Sequence, residues 1–366
     1  MADPLDIYLV ATPGLEHWVL DEARAHGFDA QAAGTGGVTF QGSWEDVWRA
    51  NLWLRGPTRV LVRLGAFRAM HLAQLDKRSK RFPWSDTLRG DIPIKVEVTC
   101  RKSRIYHAGA ASQRIVGGLT HAGITVTDDA PLTLKARIED DLCTFSIDTS
   151  GDPLHKRGHK LAMGKAPLRE TMAAMLLRAC GYRGTEPVVD PMCGSGTLPI
   201  EAVEIALNLA PGRSRAFAFQ SLANFDQAAW ANMAPSEPSH TDLQFYGFDR
   251  DAGAARMATD NAARAGVADH VTIAQGAIAD LTPPTDTPGL VMMNPPYGAR
   301  IGNKKLLFAL YGTMGKVLRE RFAGWRVGMI TSDASLASAC QLPFLPKEAP
   351  IAHGGLKVQL YRTDTL

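Results

Sequence analysis

Ten residues constrain this chain more than any other stretch: Val188-Val189-Asp190-Pro191-Met192-Cys193-Gly194-Ser195-Gly196-Thr197. Two β-branched residues predict a short buried strand, and a carboxylate stands at its C-terminal end. The turn that follows holds two glycines, where backbone can approach a ligand that a Cβ would exclude. Residues 198–209 then read as a helix, with Pro199 tolerated in its first turn. A strand, an acid, a glycine turn and a helix in that order belong to an open α/β sheet. Such sheets bind ligands outside the carboxyl ends of their strands.

The turn discriminates between ligands. In the dinucleotide pattern Gly-x-Gly-x-x-Gly, the third glycine position is here Pro199. No Lys-Ser or Lys-Thr follows the glycines, which excludes a Walker phosphate loop. Asp190 would repel a pyrophosphate and suits a cation. S-adenosylmethionine carries two positive groups, a sulfonium and an amine, and fits that requirement.

A second stretch narrows the chemistry. Leu290-Val291-Met292-Met293 is an apolar strand, and Asn294-Pro295-Pro296-Tyr297-Gly298 follows it. This resembles the Asn-Pro-Pro-Tyr motif of class I methyltransferases that act on exocyclic amino groups of bases. Such an amine is not nucleophilic while its lone pair is conjugated with the ring. The Asn294 side-chain oxygen and the Pro295 carbonyl can accept its two hydrogens and turn the lone pair toward a methyl donor. Pro295 and Pro296 limit backbone freedom, which pre-organises the acceptors. Tyr297 offers a face for the base to stack on.

Charge is distributed unevenly. The formal net charge is only +3 over 366 residues. Between residues 55 and 114, however, fourteen Lys or Arg face four Asp or Glu, whereas from residue 166 onward each sign counts eighteen. A local basic segment is the footprint of a phosphate-binding surface. The five cysteines are scattered singly, with no Cys-x-x-Cys pair. That points to a reducing, cytoplasmic compartment and to no metal site. No apolar run approaches a membrane span, and Met1-Ala2-Asp3-Pro4 does not open a signal peptide.

Periodicity divides the chain in four. Residues 1–68 read as an α+β module of ferredoxin-like order, with strands at 7–10, 36–40 and 58–66 and helices at 15–26 and 44–54, the second capped by Ser43. Trp44 and Trp48, one turn apart, belong in its core. Residues 69–153 carry a helix from 72, a strand at 94–100, a helix at 110–121 and strands at 132–138 and 142–148. Asp140-Asp141 marks a hairpin turn between the last two. Residues 154–167 form a basic, turn-rich linker containing His155-Lys156-Arg157-Gly158-His159-Lys160. From 168 to 366 strands and helices alternate, which predicts a doubly wound α/β domain.

The module at 69–153 resembles the THUMP domain of RNA-modifying enzymes, through Ser103-Arg104-Ile105-Tyr106-His107 ahead of a helix. That resemblance implies RNA contacts from Arg101, Lys102, Arg104 and Tyr106. Taken whole, the chain is similar to bacterial THUMP-containing guanine-N2 methyltransferases, and most like the half that modifies large-subunit ribosomal RNA. Single-chain tRNA enzymes share the layout, and adenine-N6 enzymes share the Asn-Pro-Pro-Tyr motif. The further motifs are Gly36-Gly37-Val38-Thr39-Phe40, Ala166-Pro167-Leu168-Arg169-Glu170-Thr171, Gly247-Phe248-Asp249 and Asn294 onward to Arg300.

The resemblance implies a class I Rossmann-like methyltransferase domain behind the ferredoxin-like and THUMP regions. It implies S-adenosylmethionine as cofactor and RNA as partner, ribosomal rather than transfer. Asp190, Pro191, Cys193, Gly194, Ser195, Gly196 and Thr197 would wrap the methionine end, with Pro167, Leu168 and Glu170 beside it. Asp249 would bind the ribose hydroxyls, with Arg250 next to it. The family usually places an Asp against the adenine amine after the third strand. Here that position reads Gln275-Gly276-Ala277. Either the backbone of Gly276 and Ala277 holds the adenine or Asp280 substitutes. Asn294, Pro295, Pro296 and Tyr297 would handle the target base, with no metal and no covalent enzyme intermediate.

Overall fold

The computed structural model describes residues 4–160, 168–233, 237–297 and 304–366, which form two compact units. The first unit falls within residues 1–11, 23–154 and 215–234; the second within 12–22, 155–214 and 235–366. The strands in chain order are β1 (Leu5–Val10), β2 (Gln31–Ala32), β3 (Gly37–Gly42), β4 (Arg59–Arg68), β5 (Ile94–Arg101), β6 (Leu132–Glu139) and β7 (Leu142–Asp148). The helices among them are α1 (Glu16–Ala25), α2 (Trp44–Trp53), α3 (Leu72–Ser79) and α4 (Ala108–His121).

The two modules read separately in the sequence share a single seven-stranded sheet of order β2-β3-β1-β4-β7-β6-β5. The seam is the antiparallel pair β4 and β7, in register from Leu61↔Asp148 to Arg68↔Leu142, with an irregularity between Arg63 and Gly65. Alternation explains the sheet: β6 buries every second residue, and Cys143, Phe145 and Ile147 of β7 are fully buried. Phe145 packs edge-on against Trp84, ring centroids 5.0 Å apart. The hairpin turn at Asp140 and Asp141 forms as expected, both with positive φ, 48° and 62°. Ser43 caps α2 in a capping box with Asp46, and Trp48 is buried.

Residues 215–234 follow a C-terminal-half helix in sequence but belong to the first unit. Phe219 is fully buried and stacks on Trp48 at 6.0 Å, and Phe225 meets the same indole at 5.4 Å. The Phe219 N–H donates to the Thr149 carbonyl at 3.0 Å. Arg215 donates to the carbonyls of Ser150 at 3.1 Å and Pro153 at 2.9 Å. A short helix in this segment, α7 (Gln227–Asn232), was not anticipated.

The second unit contains α5 (Glu170–Ala179), β8 (Val188–Asp190), α6 (Thr197–Ala206), β9 (Phe245–Asp249), α8 (Ala252–Ala265), β10 (Val271–Gln275) and β11 (Leu290–Met293). It continues with α9 (Lys304–Arg321), β12 (Arg326–Thr331), α10 (Ala334–Ala339), β13 (Ile351–His353) and β14 (Leu356–Arg362). The sheet order is β10-β9-β8-β11-β12-β14-β13. The first five strands run parallel, and β14 and β13 add antiparallel pairs. Chain order reverses between β8 and β11, so the ligand-binding crevice lies where those two strands end. Every residue of β8 and β11 is buried, as the apolar runs predict for central parallel strands. Two short elements, α10 and β13, hold six and three residues and are too brief for periodicity to mark. Among the described residues no helix is long and apolar enough to cross a membrane. No group of three His, Cys, Asp or Glu among them could hold a metal ion.

Candidate active site

Asp190 ends the central strand and is 2% exposed. Its Oδ1 accepts from the Met192 N–H at 3.0 Å. Burial pushes the carboxyl up to about 8; the Met192 N–H opposes the shift and the nearby Asp249 carboxylate adds to it. A buried acid short of partners is held ready for a cation.

The turn after it closes through backbone bonds. The Cys193 N–H donates to the Phe248 carbonyl at 2.8 Å, and the Gly196 N–H to the Cys193 carbonyl at 2.8 Å. Gly194 and Gly196 have φ of 54° and 79°, the left-handed region where a side chain is strained. A Cβ on Gly194 would meet nothing within 4 Å, so this turn borders open space. A Cβ on Gly196 would come within 3.0 Å of the Ala258 side chain, which is why α6 can sit against α8. Asn261 of α8 is fully buried and donates to the Ser195 carbonyl at 2.9 Å, a support not singled out in the sequence. Burial also pushes the Cys193 thiol up, so this cysteine packs and does not ionise.

Asp249 stands at the end of β9, the strand beside β8. Its Oδ2 accepts from the Gly194 N–H at 3.0 Å and its Oδ1 from the Asp251 N–H at 2.9 Å. Both oxygens keep further lone pairs for a hydroxyl pair. The carboxylate therefore ties two strand ends together as well as facing the crevice. Arg250 is exposed, and its carbonyl accepts from the Gln275 side chain at 3.1 Å. The Gly276 N–H is directed to the Asp249 carbonyl at 3.0 Å. Ala277 and Asp280 are both exposed on the segment after β10.

Leu168, Glu170 and Thr197 converge. The Thr197 hydroxyl lies 3.4 Å from the Leu168 carbonyl and 3.4 Å from the Ser195 hydroxyl, and Glu170 is buried beside them. Pro191 is buried next to Asp190. Pro167 lies outside the described residues, as do residues 298–300 of the second motif.

Asn294 follows β11 directly, on the other side of β8 from Asp249. Its Oδ1 is buried and has no hydrogen-bond partner among the described residues. Such an orphan acceptor costs roughly 1–3 kcal/mol, and it is retained where a ligand donor completes it. Pro295 is buried, and the Pro296 carbonyl accepts from the Tyr311 hydroxyl of α9 at 3.2 Å, which anchors the loop. Tyr297 is half-buried against the core, and burial pushes its hydroxyl up to about 12, so the ring stays neutral.

The residues expected to meet RNA lie together on the first unit. Tyr106 is 83% exposed and Met70 is exposed nearby, with the Arg104 guanidinium 3.2 Å from its sulfur. The Arg104 N–H donates to Asp141 at 2.8 Å, Arg101 pairs loosely with Glu139 at 3.6 Å, and Lys102 takes a positive φ of 46°.

A family model of RMKL-like methyltransferase domains matches residues 157–356, and a model of the RlmL ferredoxin-like domain matches residues 6–61. The ribosomal RNA large subunit methyltransferase K/L of Vibrio campbellii is 31% identical over 353 residues, or 92% of this chain. The chain spans about half the length of the curated relatives it matches, 50% of that one. SMU.472, a solved structure described as a methyltransferase and complexed with SAH, has a TM-score of 0.89 at 29% identity, covering 100% of this chain and 99% of its own. A structure from Listeria monocytogenes, described as an N6-adenine-specific DNA methylase, has a TM-score of 0.88 at 31% identity, covering 99% and 97%.

Proposed function

The chain belongs to the family of RMKL-like methyltransferase domains, and from that premise we propose that it methylates the exocyclic N2 amine of a guanine in large-subunit ribosomal RNA. The single observation that carries this reading is the buried Asn294 Oδ1 at the end of β11, without a hydrogen-bond partner among the described residues and beside the strand that ends in Asp190. The residues fit S-adenosylmethionine: a buried acid for its positive end, a turn open on the Gly194 side, and the Asp249 carboxylate at the neighbouring strand end. Asp190, Gly194, Ser195 and Thr197 would hold the methionine end, with Leu168 and Glu170 beside them. Asp249 would take the ribose, and the backbone of Gly276 and Ala277 the adenine. When bound, S-adenosylmethionine supplies a methyl group on a positive sulfur.

The chain's own residues prepare the acceptor. Asn294 Oδ1 and the Pro295 carbonyl take the two amine hydrogens, which frees the nitrogen lone pair from the ring. Tyr297 stacks on the base, and the bond from Tyr311 to Pro296 keeps the loop in place. RNA would be gathered by Arg101, Lys102, Arg104 and Tyr106, in a region we read as THUMP-like, in a cytoplasmic enzyme. Ribosomal over transfer RNA rests on the names of the relatives, and guanine over adenine on the whole-chain resemblance given by the sequence.

The test is incubation of purified protein and labelled donor with naked 23S RNA, total tRNA and DNA, followed by digestion to nucleosides. N2-methylguanosine from 23S RNA is the expected product. Label in N6-methyladenosine rejects the guanine reading, and N2-methylguanosine from tRNA alone replaces the substrate. Asn294→Ala should cut turnover about a hundredfold or more while leaving cofactor affinity unchanged. A variant with near-parental turnover removes Asn294 from the mechanism.

A further inference from the structure

The basic stretch from His155 to Lys160 takes no part in the roles above. The sequence suggests a basic, turn-rich linker, yet its residues alternate: Arg157 and His159 are buried, while Lys156 and Gly158 are exposed. The inward residues meet the acids of α6. Arg157 Nε lies 3.0 Å from Glu201 Oε1, and each side chain is 1% exposed. Glu204, fully buried one turn further on, lies 2.6 Å from Arg213 and 4.0 Å from His159. Ions are buried at such a cost only where partners complete them. The Arg157–Glu201 ion pair therefore holds this strap against α6.

Its last residue reaches the front of that helix. The Lys160 ammonium has three donors and three acceptors around it: Glu170 Oε1 at 3.1 Å, the Leu168 carbonyl at 3.0 Å and Thr197 Oγ1 at 2.8 Å. Lys160 and Glu170 side chains are 9% and 7% exposed. These three partners come from the lead-in to α5, from its first residue and from the first residue of α6. They are the same residues that would flank the methionine end of the cofactor.

We propose that Lys160 is a positioning residue for the amino-acid end of the cofactor: it locks the α5 entry to the α6 turn and so sets where that end binds. It acts through Leu168, Glu170 and Thr197. Removal of the charge releases the Thr197 hydroxyl and leaves the buried Glu170 carboxylate without this cation, so the two flanks of the amino-acid subsite lose their common tie. The adenosine subsite at the end of β9 has its own anchors, the N–H groups of Gly194 and Asp251 on Asp249, and keeps them.

This inference rests on the cofactor reading above, and its test separates the two. Calorimetry on the full chain compares S-adenosylhomocysteine with 5′-methylthioadenosine, which has the adenosine and the thioether but no amino acid. Lys160→Met should weaken S-adenosylhomocysteine about tenfold or more and leave methylthioadenosine within about twofold. Lys160→Arg, which keeps charge and donors, should recover most of the loss. Lys160→Gln serves in place of the Met variant if that chain does not fold. Equal weakening of both ligands, or S-adenosylhomocysteine affinity at the parental value, overturns the proposal. A parent chain that binds neither ligand overturns the cofactor reading and this inference with it.

Discussion

Cofactor binding should depend on pH in the parent protein, and replacing Asp190 by Asn should flatten that dependence. Asp190 is fully shielded at the end of β8, where burial pushes its carboxyl up to about 8 against an ordinary value of 3.8. About one molecule in ten is then ionised at pH 7 and about nine in ten at pH 9. A cationic ligand prefers the ionised form, so binding below pH 8 must displace a proton. The part of the affinity owed to Asp190 should therefore climb about tenfold between pH 7 and 9, worth about 1.4 kcal/mol, and level off above. Stability runs the other way. A carboxyl raised in the folded state contributes fully below its unfolded value, and the contribution is lost as pH rises through about 8. The assay is calorimetric titration with S-adenosylmethionine at pH 6, 7, 8 and 9, for the parent and for Asp190→Asn. Titration of the ligand's own amine is common to both proteins and cancels in the ratio of their dissociation constants. A ratio constant within about twofold from pH 6 to 9 would refute the reasoning, because Asp190 would then not face the cation.

Asp249→Asn should behave as a severe change despite its size. The amide can accept from Gly194 or Asp251 but turns a donor toward the other N–H, so cofactor binding should weaken by about 1–3 kcal/mol and the melting temperature should fall. Phe219→Ala should cost the protein about 3–5 kcal/mol in urea denaturation, since the ring fills the site against Trp48. By the same contact, a fragment ending at residue 165 should be cut faster by protease than one to which residues 215–234 are restored. Tyr106→Ala should leave stability unchanged, because the ring is exposed, and weaken RNA binding by about 1–3 kcal/mol. Arg104→Ala should lower the log–log salt slope of RNA binding by about 0.7 to 0.9, read from filter binding over a salt series.

What was legible in the sequence is what a few neighbouring residues decide among themselves. Val188 to Thr197 encode a buried strand, an acid and a turn that only glycine fits, and the left-handed φ values at Gly194 and Gly196 bear this out. The Asp140-Asp141 turn and the Ser43 cap are of the same kind. Asn294 could be singled out because Asn294-Pro295-Pro296-Tyr297, directly after an apolar strand, resembles the motif of methyltransferases that act on exocyclic amines. That its oxygen is buried, with no partner among the described residues, depends on how the loop and Tyr311 pack.

The remainder depended on residues far apart in the chain. Period-2 patterning makes β4 and β7 strands, but nothing in either states that they pair and so merge two modules into one sheet. The run from His155 to Lys160 carries the composition of a basic, turn-rich linker, and only the acids on α5 and α6 turn it into a buried strap. Phe219 and Phe225 follow the helix after Asp190 in sequence, yet the indole that receives them, Trp48, is on α2, more than a hundred residues earlier. The charge state of Asp190 belongs to the same class. A carboxylate at a strand end ionises near 4 in water, and it is the desolvation imposed by the assembled sheet that raises it to about 8. Turns and periodicity act over a few bonds and are written in order along the chain, whereas burial is a property of everything that closes around a residue.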